Sequence, residues 1–427
     1  MTYTEALDYI HNINWQFCNP GLDRTRTLCE KLGNPEKKLR FVHVAGTNGK
    51  GSFCAMLSSI LSAAGYRTGL YTSPFIRRFN ERMQINGTPI SDDELAEITE
   101  SVKPIADSME ERPTEFELVT AIAFEYFARH QCDVVVLEVG LGGRLDSTNV
   151  IDSPLLSVIT GIDFDHTALL GNTIGEIARE KAGIIKRGCP CLYGSDDPIA
   201  MRTVRAVANA KSAPFRKVDR SKLRVTYLSL DGTVFDCENY INLKLSLAGT
   251  YQPLNAVTVL TAVRILSEER GLAIPEDAVR KGLACVKWPA RFEVLNREIP
   301  VLYDGGHNPQ GITAAVESIN LYFVGHRVNL LTGVMKDKGY DEMIEKLKPI
   351  AEHVFTVCPG GARALPAQDY AKSFLEHGVS ATAYETVEAG VRAAVEDSRR
   401  KRIPLVCLGS LYLYSSATEA LEKVLAE

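Results

Sequence analysis

The chain is expected to be an α/β protein built on parallel sheets, with a large N-terminal part and a smaller C-terminal part. Three observations lead there. Helical and strand-like patterns alternate almost from end to end, the arrangement that lays helices over parallel strands. Several strand candidates are continuous apolar runs, as in Asp133-Val134-Val135-Val136-Leu137, and such runs fit strands covered on both faces. A glycine-containing turn, Gly46-Thr47-Asn48-Gly49-Lys50-Gly51-Ser52, joins the apolar run around Phe41, Val42 and Val44 to a helical pattern holding Phe53, Leu57, Ile60 and Leu61.

In chain order the strand candidates are Phe41–Val44, Gly69–Tyr71, Val134–Leu137, Leu156–Ile159, Val301–Tyr303, Val328–Leu331, Val354–Val357 and Leu405–Leu408. Phe116–Ala128 and Leu254–Leu266 read as helices by their apolar spacing. Residues 223–247 differ: short strand-like runs flank Asp231-Gly232, which reads as the turn of an antiparallel hairpin. The best boundary lies near Trp288-Pro289-Ala290-Arg291, because a fresh strand and loop begin at Val301 and Asp304. Residues 1–292 are expected to form one domain and residues 298–427 a second, about half as large.

Composition narrows the class. At 427 residues the chain is too long for one small core. Hydrophobic content of 45% and charged content of 24% fit a globular protein. A net charge of −5 gives no reason to expect a nucleic acid or an anionic membrane as partner. The one basic run, Arg399-Arg400-Lys401-Arg402, reads as a solvated helix C-terminus. Ten cysteines are scattered, and only Cys189-Pro190-Cys191 forms a close pair, at no common zinc spacing. Cys54, Cys132, Cys285 and Cys407 sit among apolar neighbours and read as small core residues. All ten are expected to be reduced thiols in a cytoplasmic protein, since Met1–Glu5 shows no signal pattern and no apolar stretch suits a membrane helix.

The turn at Gly46 carries the chemistry. Backbone N–H groups of such a turn converge on an anion, and the helix N-terminus adds partial positive charge. Lys50 can set a point charge on terminal phosphates, and the Ser52 hydroxyl can face Mg²⁺. The fit to the general phosphate-loop pattern is imperfect: its first glycine would fall at Val44, whereas here it is Gly46. Glu138 ends a buried strand, where parallel sheets present ligand-binding groups, so it is a Mg²⁺ candidate. Asp163-Phe164-Asp165-His166 follows another strand, and a histidine beside two aspartates is a ligand or acid–base candidate. Lys181 falls on a nearby helix and, from sequence alone, is expected at the surface. Thr72-Ser73-Pro74-Phe75 leads into Arg77-Arg78-Phe79-Asn80-Glu81-Arg82, which could hold a flat anion by stacking and charge or could be a solvated loop.

These motifs together resemble the folylpolyglutamate synthase family within the Mur-type amide ligases. The resemblance rests on Gly46–Ser52, Thr72-Ser73-Pro74, Phe79-Asn80-Glu81-Arg82, Leu137–Gly143, Glu180–Lys186, Trp288-Pro289-Ala290-Arg291, Asp304-Gly305-Gly306-His307-Asn308-Pro309 and Gly409-Ser410-Leu411-Tyr412. It runs from Tyr3 to Tyr414. It implies a phosphate-loop Mur-ligase-like N-terminal domain with a parallel sheet, a smaller Rossmann-like C-terminal domain, and an active site between them. It implies an ATP-dependent ligase that phosphorylates a folate carboxylate and then joins L-glutamate to it. By motif, Asn48, Gly49, Lys50, Gly51 and Ser52 would hold the ATP phosphates. Asn255, Arg291, Asp304 and Ser410 would complete the nucleotide site, with His307 catalytic beside Lys50, Lys181 and His166. Ser73 and Glu138 would hold one Mg²⁺. His166 would hold a second together with Lys181, which matches a lysine that is carbamylated in the wider group. Phe75 and Arg82 would face the substrate.

Two departures bear on the substrate. Relatives often carry histidine after Thr-Ser-Pro, where this chain has Phe75, and many have alanine where it has Gly306. Phe75 favours an enzyme that only extends reduced folates over one that also makes dihydrofolate. The rivals are a cell-wall Mur ligase, which usually has an added N-terminal domain where about 40 residues stand here, and a non-catalytic nucleotide switch, which would not need Arg291, Asp304 and His307. Its partners are expected to be small molecules only (ATP, reduced folate and glutamate), and the protein is expected to be a monomer.

Overall fold

The computed structural model describes residues 1–12 and 21–426, and these divide into two compact units. The first comprises Met1–Lys222 with Asn255–Val286, and the second Leu223–Leu254 with Lys287–Glu427. The division therefore differs from a single cut at 292/298. Residues 223–254 group with the C-terminal part because their trailing end is tied there. The Gly249 N–H donates to the Tyr322 hydroxyl at 3.1 Å, and the Thr250 N–H donates to Ser318 Oγ at 3.0 Å.

The first unit is built on an eight-stranded sheet of β1 (Phe41–Ala45), β2 (Thr68–Tyr71), β3 (Met83–Ile85), β4 (Thr88–Pro89), β5 (Val134–Glu138), β6 (Leu156–Ile159), β7 (Cys191–Tyr193) and β8 (Phe215–Lys217). Its order is β4-β3-β2-β5-β1-β6-β7-β8. From β2 through β8 the neighbours run parallel, while β3 and β4 pair antiparallel at one edge. The central strands β5, β1 and β6 are buried throughout, as their apolar runs require. Register places Val44 beside Glu138 and Ala45 beside Ile159, so three strand ends meet where ligands of open α/β sheets bind. The β3–β4 hairpin went unread, although Asn86-Gly87, with φ of 50° and 78°, is a strong hairpin turn.

In the second unit β9 (Leu223–Ser229), β10 (Gly232–Cys237) and β11 (Tyr240–Leu245) form the expected antiparallel patch. A six-stranded sheet follows, with β12 (Glu293–Asn296), β13 (Val301–Tyr303), β14 (Val328–Thr332), β15 (Ala351–Thr356), β16 (Ala381–Ala383) and β17 (Leu405–Leu408) in the order β12-β13-β17-β14-β15-β16. Only β12 is antiparallel to its neighbour. Leu302, Leu330, Val354, Val406 and Leu408 join Ile312, Ile344 and Phe374 in its core.

Arg399–Lys401 do close a helix, Val387–Lys401, in which Lys401 pairs with Asp397 at 3.0 Å. The nine described cysteines are free, and Cys18 lies outside the described residues. Cys54, Cys132 and Cys407 are buried as expected; Cys285 is exposed. It ends a helix whose buried side is Ala278, Val279, Gly282 and Leu283, so apolar sequence neighbours misplaced it. Among the described residues no helix is long and apolar enough to cross a membrane.

Candidate active site

The loop after β1 is shaped by its glycines and tied down by β6. Gly49 has φ +83° and caps the helix Lys50–Ala63. A Cβ there would meet Asn255 Oδ1 at 2.9 Å, which sets Asn255 against the loop. Gly46 has φ +155°, and a Cβ on it would fall 1.9 Å from Thr160 Oγ1. The Thr47 N–H donates to the Gly161 carbonyl at 2.6 Å, and Thr160 Oγ1 donates to the Asn48 carbonyl at 2.8 Å. Thr47 Oγ1 also bridges Asp163, donating to its carbonyl at 3.0 Å and accepting from its N–H at 3.1 Å. The short loop is thus a fixed turn with Ser52 buried in the helix's first turn. Gly46→Ala is expected to cost about 2–3 kcal/mol in denaturant unfolding, because fixed backbone leaves the methyl nowhere to go. An unchanged unfolding midpoint would show that the loop yields.

Two lysines meet at this loop. Lys50 Nζ donates to the carbonyls of Gly46 at 3.1 Å and Thr47 at 3.2 Å, and Lys181 Nζ donates to the same Gly46 carbonyl at 2.9 Å. Lys181 is 5% exposed, so the expected surface position is wrong. Its helix, Ile174–Ala182, buries Ile177, Ala178, Lys181 and Ala182, a stripe in which the lysine takes an apolar position. Burial pushes its pKa down to about 7, with the Lys50 charge adding to the fall and Asp165 and Asp146 opposing it. A buried lysine so displaced beside a phosphate-type loop is a functional candidate.

Glu138 is 4% exposed at the end of β5, and the Ser73 N–H donates to its Oε2 at 3.3 Å. These two candidates are therefore neighbours, and Ser73-Pro74 is a cis peptide. His166 has φ +49° and sits at the N-cap of a single turn, Thr167–Leu170. Its N–H donates to Asp165 Oδ1 at 2.9 Å, and its Nε2 lies 3.8 Å from the same oxygen. Among the described residues no group of three or more His, Cys, Asp or Glu is placed to hold a metal ion. Sequence reasoning missed Asp146, a buried carboxylate raised in pKa by burial and opposed by hydrogen bonds from Thr148, Leu141 and Gly140. Its position three residues past the Gly-rich run Gly140–Gly143 is the signal that could have found it.

The loop after β2 is ordered rather than simply solvated. Glu81 accepts the N–H groups of Ile76, Arg77 and Arg78. Phe75 and Phe79 lie 5.8 Å apart, with the Arg82 guanidinium 5.2 Å and 5.5 Å from their ring centres. Arg82 Nε and Nη1 are buried with no hydrogen-bond partner among the described residues.

The second unit assembles its own cluster. Asp304 is 3% exposed and accepts from the Tyr251 hydroxyl at 2.6 Å, the Phe292 N–H at 3.0 Å and the Gly306 N–H at 2.8 Å. Burial raises its pKa against these bonds and the Arg291 charge. Arg291 donates to the Ala290 carbonyl at 3.2 Å, and the Gly305 N–H donates to the same carbonyl at 2.8 Å. His307 Nδ1 lies 2.9 Å from the Gly305 carbonyl, while Asn308 caps the helix Pro309–Tyr322. Ser410 is buried, and its carbonyl accepts from the Tyr303 hydroxyl at 2.7 Å. Asp304 and His307 thus follow β13, Ser410 follows β17, and Arg291 lies just before β12.

A phosphate-type loop at the end of a parallel sheet, followed by a second α/β unit, defines the Mur ligases, and the chain matches that class. Residues 44–263 match the Mur ligase middle domain and residues 290–411 the Mur ligase glutamate ligase domain. A Bacillus subtilis protein named dihydrofolate synthase/folylpolyglutamate synthase is 38% identical over 98% of this chain and 99% of its own length. The folylpolyglutamate synthase of Lacticaseibacillus casei is 36% identical, with 99% of each chain covered. The crystal structure of Mycobacterium tuberculosis folylpolyglutamate synthase complexed with ADP and AMPPCP superposes with a TM-score of 0.88 at 30% identity, covering 100% of this chain and 99% of that one. The chain belongs to the folylpolyglutamate synthase family of Mur ligases, and it is an ATP-dependent ligase.

Proposed function

We propose that this protein joins L-glutamate to the γ-carboxylate of a reduced folate through an acyl phosphate. The observation that carries the folate reading is Arg82. A cation with two buried, unpartnered nitrogens over two aromatic rings asks for an anion attached to a flat group. The aminobenzoyl glutamate of a folate supplies both. In this reading Met1–Lys222 with Asn255–Val286 carries the ATP domain and Leu223–Leu254 with Lys287–Glu427 the glutamate-ligase domain, and the enzyme works as a cytoplasmic monomer.

Asn48, Gly49, Lys50, Gly51 and Ser52 are assigned to the ATP phosphates, with Asn255, Arg291, Asp304 and Ser410 completing nucleotide binding and His307 acting at the second unit. The Ser73 hydroxyl and the Glu138 carboxylate, whose residues are neighbours through the 3.3 Å bond from the Ser73 backbone N–H, would form an oxygen set suited to Mg²⁺, which takes its other ligands from phosphates and water. His166 and a carbamate on Lys181 would hold a second. Neutral Lys181 adds through Nζ to CO₂, forming an N–C bond and releasing a proton to solvent; a pKa near 7 keeps that neutral amine available. Bound Mg²⁺ would offset triphosphate charge so that a carboxylate can approach the γ-phosphorus. The glutamate amine then attacks the acyl carbon and phosphate departs.

Phe75 at the mouth of this loop offers a ring and no hydrogen-bonding group, which suits a folate longer than dihydropteroate. The name of the Bacillus relative favours a second reading, in which dihydropteroate is also used. Comparing kcat/KM for dihydropteroate and tetrahydrofolate decides it: at least a tenfold preference for tetrahydrofolate supports the first reading, and equal values support the second. Arg82→Ala is expected to raise KM for the folate about tenfold or more, the cost of losing a desolvated charged hydrogen bond. KM for ATP should hold, and an unchanged KM for folate would remove Arg82 from the site.

A further inference from the structure

We infer that His43 is a positioning residue: through Thr148 and Asp146 it sets the Gly140–Asn149 loop that seats Lys181. The inference rests on the reading of Lys181 given above. His43 lies in the middle of β1, three residues before Gly46 of the phosphate loop, and is fully buried between β5 and β6. An imidazole in a central parallel strand is costly unless it is used. Its Nε2 lies 2.9 Å from Thr148 Oγ1, and that hydroxyl donates to Asp146 Oδ1 at 2.5 Å. Thr148 has one proton and gives it to the carboxylate, so its oxygen must accept from His43. This assigns the Nε2–H tautomer and leaves Nδ1 as an acceptor, buried with no partner. Burial and the nearby Lys186 charge push the histidine down to about 3, so it stays neutral throughout the working range.

Asp146 spreads that anchorage over the loop. Its Oδ1 also accepts the Thr148 N–H at 3.0 Å, and its Oδ2 accepts the Leu141 N–H at 2.8 Å. The loop in turn grips the end of the lysine helix. The Arg144 N–H donates to the Glu180 carbonyl at 2.8 Å, and Asn149 Nδ2 donates to the carbonyls of Arg144 at 3.0 Å and Gly183 at 3.3 Å. Contact is close enough that a Cβ on Gly143 would lie 2.8 Å from the Lys181 carbonyl, and one on Gly183 would lie 2.4 Å from Arg144 Cα. With Gly143 and Gly183 in such close backbone contact the loop and the helix end shift together, so the loop's tether decides where Lys181 sits.

The test compares His43→Gln, which keeps an N–H near the Nε2 position, with His43→Leu and Thr148→Val, which break the chain of bonds, and Thr148→Ser, which keeps it. His43→Gln and Thr148→Ser are expected within about threefold of the parent kcat. His43→Leu and Thr148→Val should each lose about tenfold in kcat at unchanged KM for ATP, and the double variant should lose no more than the worse single. Protein given ¹³C-bicarbonate should show a lysine carbamate resonance that the two breaking variants weaken. A His43→Leu kcat equal to the parent, equal losses in His43→Gln and His43→Leu, or losses that multiply in the double variant would each overturn the inference. Absence of the resonance in the parent would instead overturn the carbamate reading of Lys181, and the kcat comparison would still judge His43. Misfolded variants are recognised by their melting curves, and the Gln and Ser variants then decide.

Discussion

Lys50→Ala should lose roughly 10² or more in kcat while the protein stays folded, as removal of a preorganised charge from a phosphoryl-transfer site does. Lys50 opens the helix Lys50–Ala63, and its Nζ rests on the carbonyls of Gly46 and Thr47, the resting place of a cation waiting at a phosphate loop. The turn itself is held by Thr47, Thr160 and Asp163, none of which the substitution touches. Removing the charge also relieves repulsion on buried Lys181, so little stability should be lost. Steady-state ATP turnover with a parallel melting curve checks both halves. Near-normal kcat would take the ATP site away from this loop.

Lys181→Ala should abolish measurable turnover, and a small carboxylate such as acetate should restore part of it by standing in for the carbamate. A fully active alanine variant would make Lys181 a structural lysine. Stability supplies a second readout with a definite sign. In metal-free, bicarbonate-free protein the folded pKa of Lys181 is lowered to about 7 from 10.5, first by burial and then by Lys50. Below about pH 7 both folded and unfolded chains hold the proton, and the cost of burying the charge is fully present. Between there and about 10.5 the unfolded chain holds more protons, so this group makes stability rise with pH. Lys181→Met keeps the apolar stem and should flatten that rise and melt no lower than the parent near neutral pH. A slope unchanged in the variant would show that the lysine titrates normally.

Much of the fold was legible because buried parallel strands announce themselves. Val134–Leu137 and Leu405–Leu408 are apolar on both faces and appear where expected. The grouping of residues 223–254 was not legible. It depends on Tyr322 and Ser318, about 70 residues further on, accepting backbone N–H groups, and no local pattern encodes that. In the site, a glycine turn before a helix and a carboxylate at a strand end are local features, and they led to Lys50 and Glu138. Lys181 was misplaced because a lysine at an apolar helical position reads as surface until its hydrogen bond to the Gly46 carbonyl is seen. Asp146 and His43 escaped because each is defined by a bond to Thr148, and a buried polar chain leaves no periodic trace. Phe75 and Arg82 were legible as types, but only geometry stacks them.

The most direct test is ADP release from ATP, measured with tetrahydrofolate and L-glutamate supplied singly and together. A folate–glutamate ligase should release ADP and phosphate at full rate only when both are present, one ADP for each glutamate joined. Folate alone should give no more than a single turnover's worth of acyl phosphate. ADP release at the same rate without folate or without glutamate would contradict the assignment and point to a nucleotide switch built on the same loop.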